Sequence, residues 1–276
     1  MALHACDSDP QLFECPVAIV PVCRSAEVGD SRVFASLTYL GFHALFILPP
    51  LVVLAAGRPL SALPAARRRT ALVGVAAMVV VAVGYTTPWD SYLVRNGVWT
   101  YREGAVAVRF LSVPLGEYLF FVLQTLLTGL WLYTYGFDPT VREGDFDRLP
   151  RAAGALCCLA AAGVGAVLFV GPRWGTYLGA TLAWAAPVLA LQWAVGGAYL
   201  VRTWRRWAVG VAVPTLYLCI VDAVAIALGI WTITPSTSSG VTLLVLPIEE
   251  AVFFLLTNLL LVYGLVLFEW VVSAWR

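Results

Sequence analysis

The chain has no lysine, and only two histidines, His4 and His43, among its 276 residues. It has no Cys-x-x-Cys pair and no glycine-rich phosphate loop. Charged residues make up 12%, against roughly 25% in a soluble domain. Each scarcity excludes something. Two histidines leave no histidine-rich iron or zinc centre. None of the six cysteines stands at ligand spacing with a histidine, so no metal site is expected. Cys157, Cys158 and Cys219 lie in apolar runs as small hydrophobes, and Cys6, Cys15 and Cys23 lie in the N-terminal tail. Without a G-x-G-x-x-G turn or a Walker loop, the expected chemistry uses no cofactor. A net charge of +1 points to no nucleic-acid partner. All 17 basic residues are arginine, which we read as the codon usage of a GC-rich genome.

What is present is hydrocarbon. The chain is 61% hydrophobic, with a mean hydropathy of +0.86. Runs near 20 residues read as transmembrane helices, and seven are expected: 37–56, 70–87, 113–135, 152–170, 175–199, 208–228 and 244–268. The fold class is all-α, a polytopic membrane helical bundle. Residues 1–36 read as a weakly ordered extension. They fit a signal peptide poorly, because Asp7, Asp9 and Glu14 precede any basic cluster. Arginines in the loops set the orientation: eleven fall on one side, including Arg67–Arg69 and Arg202, Arg205 and Arg206, against six on the other. This predicts a multi-pass cell-membrane protein with its N-terminus outside and its C-terminus in the cytoplasm.

Two segments repeat. Pro114, Glu117, Phe120 and Phe121 recur at an offset of 133 as Pro247, Glu250, Phe253 and Phe254. Asp90 and Trp99 recur at 132 as Asp222 and Trp231, with Thr100 and Thr232 following the tryptophans. Tyr39-Leu40-Gly41 recurs at 138 as Tyr177-Leu178-Gly179. The expected organisation is one three-helix unit over 37–135, a second over 175–270, and a connecting helix in 136–174. Three helices per unit is odd, so the extra span makes the units parallel, related by an axis along the membrane normal. Both glutamates then fall at one depth and one face.

A carboxyl inside a membrane span is costly and marks a candidate site. Glu117 and Glu250 each follow a proline that suits a helix start. The helix dipole there favours the carboxylate, whereas burial beside a second carboxyl favours the neutral acid. If burial wins, the pair can serve as general acid and base. A plain capping role is the alternative for either glutamate alone. Glu249 has Gly116 as its counterpart, and reads equally as a third catalytic carboxyl or a solvated interfacial charge. Asp222 sits in an apolar run as an acid/base partner or a positioning group. Asp90 reads as its counterpart or as an interfacial cap. Trp99, Trp231, Phe120, Phe121, Phe253 and Phe254 are expected around the acids. There they either only pack, or face a developing cation, which ring faces attract. Gln124 and Asn258 lie about two turns deeper, as site residues or as helix–helix hydrogen bonders.

The doubled Pro-x-x-Glu-x-x-Phe-Phe motif, the upstream aspartates and the Gly-x-Trp-Thr signals (Gly97–Thr100 and Gly229–Thr232) resemble the membrane lycopene cyclase family over about residues 36–270. The chain looks like the fused form, with both halves in one polypeptide. Gly116 departs from the acidic pair of the second half. The resemblance implies conversion of lycopene to β-carotene by way of γ-carotene, without flavin. It implies Glu117 and Glu250 as acid and base in unassigned order, Asp222 and Asp90 assisting, and Trp99 and Trp231 shielding the cation. Lycopene and γ-carotene would be membrane-dissolved substrates, with membrane lipid and other enzymes of the carotenoid pathway as partners. An ε-ring or C50-carotenoid cyclase would use the same residues. A non-catalytic carotenoid-binding or transport protein is the alternative from another class.

Overall fold

The computed structural model describes residues 37–275, so the expectations for residues 1–36 lie outside the described residues. Six helices dominate: α1 Tyr39–Ala56, α2 Ala65–Arg95, α3 Leu115–Tyr135, α4 Arg148–Val170, α5 Thr176–Ala227 and α6 Ile248–Ala274. All six are long and apolar enough to cross a membrane. In α1, a π-helical turn at His43–Ile47 precedes Pro49 and Pro50, whose rings and missing N–H groups disturb regular helix bonding.

Six continuous helices stand where seven spans are expected, because two of the expected runs share α5. The runs 175–199 and 208–228 belong to one 52-residue helix, α5, in which Gly196 alone leaves helical geometry (φ −144°, ψ 31°). Arg202, Arg205 and Arg206 are not in a loop. Arginine is a strong helix former, and the helix runs through all three. A Cβ at position 196 would stand 2.3 Å from Leu267 Cδ2, so glycine lets the bend pack close to α6. Contacts with α6 reverse across it. Before the bend, Gln192 donates to the Leu260 carbonyl, and Gly196 lies against Leu267 and Trp270. After it, Gly210 faces Val262, and Asn258 donates to Thr215.

Three short antiparallel ladders join the helices of the all-α bundle. These are β1 (Trp99–Tyr101) with β4 (Trp231–Ile233), β2 (Arg109–Phe110) with β3 (Val113–Pro114), and β5 (Thr242–Leu243) with β6 (Leu246–Pro247). Strands of two or three residues carry no readable alternation. β1 and β4 start from matched helix ends. Gly97 (φ 66°) and Gly229 (φ 64°) take the left-handed conformation that closes a helix. Val98 N–H reaches the Leu93 carbonyl and Ile230 N–H the Ala225 carbonyl, both at 3.0 Å. Val98 and Ile230 are fully buried and pin the turn. Each Gly-x-Trp-Thr signal is therefore a helix stop that throws its tryptophan inward.

The opposite end of the bundle is tied by ions. Arg202 grips both oxygens of buried Asp145 at 2.6 and 2.7 Å, and Trp270 Nε1 adds a third donor. Arg67 and Tyr133 hold buried Glu269. Burial alone would raise the Asp145 acid. The Arg202 hydrogen bonds and charge, the Arg142 N–H and Trp270 together outweigh it and hold the carboxyl below the usual range. Stability from this group is therefore present above the unfolded-state value and lost as pH falls through the native one. We expect Asp145→Asn to cost about 1–3 kcal/mol at neutral pH. In detergent melts, the gap to wild type should close on acidification; a pH-independent gap would contradict the assignment.

Candidate active site

Glu117 and Glu250 are the third residues of α3 and α6, and Pro114 and Pro247 immediately precede those helices. The cap at each start is thus the proline. Leu115 N–H bonds the Val108 carbonyl and Ile248 N–H the Val241 carbonyl, each at 2.9 Å, fastening a β-hairpin to each helix start.

One strand holds both glutamates. Trp99 Nε1 donates to Glu250 Oε1 at 3.0 Å, and the Tyr101 hydroxyl donates to Glu117 Oε1 at 2.8 Å. Residues two apart on a strand face the same way, about 7 Å apart. β1 therefore presents one donor to an acid from each end of the chain. Its partner β4 sends Trp231 Nε1 to Asp222 Oδ1 at 2.9 Å. In the ladder, Thr100 stands opposite Thr232, with their hydroxyls 2.7 Å apart. Tyr39 and Tyr177 bring their hydroxyls beside Glu117 and Glu250 respectively, but the buried Tyr177 hydroxyl makes no hydrogen bond of ordinary geometry. Burial, then the Glu117 charge, pushes the Tyr101 hydroxyl well above its ordinary range, so it remains a donor.

Glu117, Glu250 and Asp222 line a single cavity of about 40 Å³, walled by Trp99, Trp231 and phenylalanine rings. That is space for a few waters. Asp222 Oδ2 is buried without a hydrogen-bond partner. Among the predicted residues, Phe120, Phe253 and Phe254 also face this cavity. Asp90 does not. It lies fully buried behind Glu117, with neither oxygen hydrogen-bonded. Glu249 turns away and accepts the Ser239 N–H at 2.6 Å, anchoring the loop that leads to β5. Its counterpart Gly116 has no room for a side chain, because a Cβ there would stand 2.3 Å from the Tyr39 ring. Phe121 and Gln124 line a second cavity. Asn258 faces neither cavity. It bonds Gln124, Thr128 and Thr215, tying three helices together.

The sequence reading left Tyr39, Tyr101 and Tyr177 without roles at the acids. The offset-138 match already paired Tyr39 with Tyr177, and that repetition was the available signal. His43, which bonds the Gly116 carbonyl at 2.9 Å, has no repeated counterpart and gave none. Among the described residues, no group of three His, Cys, Asp or Glu is placed to hold a metal ion. The arrangement suits proton transfer to and from a hydrocarbon: carboxyls held by N–H and O–H donors, in a chamber whose ring faces stabilise a cation.

The profile of the Lycopene cyclase family matches residues 36–135 and 174–271. A protein named lycopene beta-cyclase from Halobacterium salinarum is 46% identical over 248 residues, covering 87% of this chain and 99% of that one. A bifunctional lycopene cyclase/phytoene synthase from Gibberella fujikuroi is 39% identical over 235 residues, or 83% of this chain and 39% of the relative. Another from Phaeosphaeria nodorum is 37% identical over 245 residues, covering 84% and 41%. No solved structure matches the chain.

Proposed function

The chain belongs to the lycopene cyclase family, and from that premise we propose that it is a membrane enzyme converting lycopene to β-carotene through γ-carotene, by proton transfer alone. The observation carrying this reading is β1, which fastens Glu117 and Glu250, one acid from each half, to one apolar chamber.

The reaction is an isomerisation. One glutamate protonates C2 of the terminal C1=C2 bond, and the resulting C1 cation is attacked by the C5=C6 bond. The new C1–C6 bond closes a six-membered ring and leaves the cation at C5. Loss of the C6 proton to a carboxylate gives the β-ring and restores the proton count, and no electrons are exchanged. Trp99 and Trp231 face the positive charge, and their N–H groups fix Glu250 and Asp222. Asp222, with one oxygen unpaired at the cavity, is the partner through which Glu250 passes its proton. Asp90 plays the same part behind Glu117. Glu249 is a positioning residue for its loop.

The architecture behind this reading is two parallel three-helix units, 37–135 and 175–270, joined through 136–174. Matched contacts support it. Tyr85 donates to the Trp184 carbonyl as Tyr217 donates to the Phe46 carbonyl, and the Thr100–Thr232 pair marks the axis. Counting the two legs of α5 separately gives seven passes, with the N-terminus outside.

Pigment analysis in lycopene-accumulating cells tests the activity. We expect β-carotene with a minor monocyclic pigment. ε-Ringed or C50 cyclic products would reassign the ring formed, and unchanged lycopene would overturn the reading.

A further inference from the structure

A second cavity, of about 260 Å³, lies beside the acid chamber between α2, α3, α6 and the first leg of α5. Its walls are mostly hydrocarbon. Phe253 lines both cavities and is the partition between them. Its ring is one of a stack, parallel to Trp89 at 5.4 Å between centroids and edge-on to Phe254 at 5.3 Å. From Phe253 the slot descends along α6 to Leu260, about 10 Å at the helical rise. Its outer lip carries Val81, Tyr85 and Leu191, which are 53%, 41% and 64% exposed. These residues lie within spans, so the lip opens sideways into the bilayer.

The acid chamber is too small to hold a substrate of many isoprene units. A molecule whose end sits among the carboxyls must pass its remaining length somewhere. We propose that the second cavity is the binding slot for the conjugated polyene chain, entered laterally from the membrane, with the Phe253 ring swinging to join slot and chamber. This inference rests on the cyclase reading. The occupant is a long, rigid, apolar chain. Aromatic and aliphatic walls suit it, and the slot runs alongside α6. Phe121, expected around the acids, and Gln124, expected about two turns deeper, take their place here. Phe121 faces the chain, and Gln124 is a wall residue bonded to Thr257 at 2.9 Å.

Val188 lines the slot and not the chamber. The test compares wild type, Val188→Trp and Leu191→Trp in membranes. A lipid-facing control, Val167→Trp, is 69% exposed at the wild-type residue and lines neither cavity. Two substrates are used: lycopene, and a lycopene end group on a polyene cut short from the far end. Expected is an increase of about tenfold or more in KM for lycopene in the slot variants, none in the control, and loss of the wild-type preference for the long substrate. If Val188→Trp fails to accumulate, Leu191→Trp at the lip carries the comparison. Unchanged KM and unchanged chain-length preference in a folded slot variant overturn the slot while leaving the cyclase reading intact. A wild-type enzyme that closes no ring on either substrate overturns the cyclase reading, and the slot inference with it.

Discussion

Glu117→Gln and Glu250→Gln should each abolish ring formation, while the protein accumulates normally and lycopene still co-purifies with it. A positioned general acid or base contributes about 100- to 10,000-fold, so either amide should lower β-carotene formation by at least about two orders of magnitude. Glutamine keeps the shape of the side chain and can still accept from Trp99 or Tyr101, so the geometry of the chamber should survive. Chromatography of extracted pigments, read against protein level, measures the effect. Near-normal β-carotene from both variants would refute the acid/base pair. Loss of bound lycopene together with activity would instead assign these carboxyls to substrate retention.

The second large effect concerns the halves. Trp99 comes from the first half of the chain and holds Glu250 of the second. Tyr39 and Tyr101 both belong to the first half and hold Glu117, but the ladder that seats Tyr101 is completed by Trp231. A chain of residues 1–150 or 151–276 alone therefore lacks a donor, an acid and half of the ladder. We expect no detectable cyclisation from either half expressed separately, and recovery of activity when both are co-expressed. The α3–α6 seam, with its Gln124–Thr257 and Thr128–Asn258 bonds, supplies the reassociation surface. Ring formation by a single half would show that each unit builds its own site.

Much of this site is readable from the chain because its parts occur twice. The glutamates, Trp99, Trp231 and the phenylalanines are recognisable by repetition at fixed offsets, and all but Phe121 converge on the acid chamber. Tyr39 and Tyr177 are paired by the same repetition, whereas Tyr101 has Ile233 as its counterpart; the places of all three at the acids depend on distances that sequence does not encode. Glu249 reads equally as a third catalytic carboxyl or a solvated interfacial charge; the Ser239 N–H that it accepts depends on the path of a loop. The six-for-seven helix count has a similar cause. Arginines were read as a loop between spans, whereas helix propensity and one glycine carry α5 through them and bend it. The short ladders are invisible in sequence because two or three residues make no pattern, although Gly97 and Gly229, which turn the chain toward β1 and β4, belong to the repeated motif.

Near the acids the two halves are not copies in volume. Val221 faces the acid chamber, whereas its counterpart Trp89 is packed among Trp99, Trp184 and Phe253. Segments that repeat at fixed offsets thus meet at one cavity with unequal walls, and in the proposed cyclase that cavity is a single seat. Lycopene has identical ends. On the reading argued above, it must present them in turn: a molecule with one ring closed has to leave the seat and come back reversed, and the share of half-finished product then reports how often it returns before diffusing away in the bilayer.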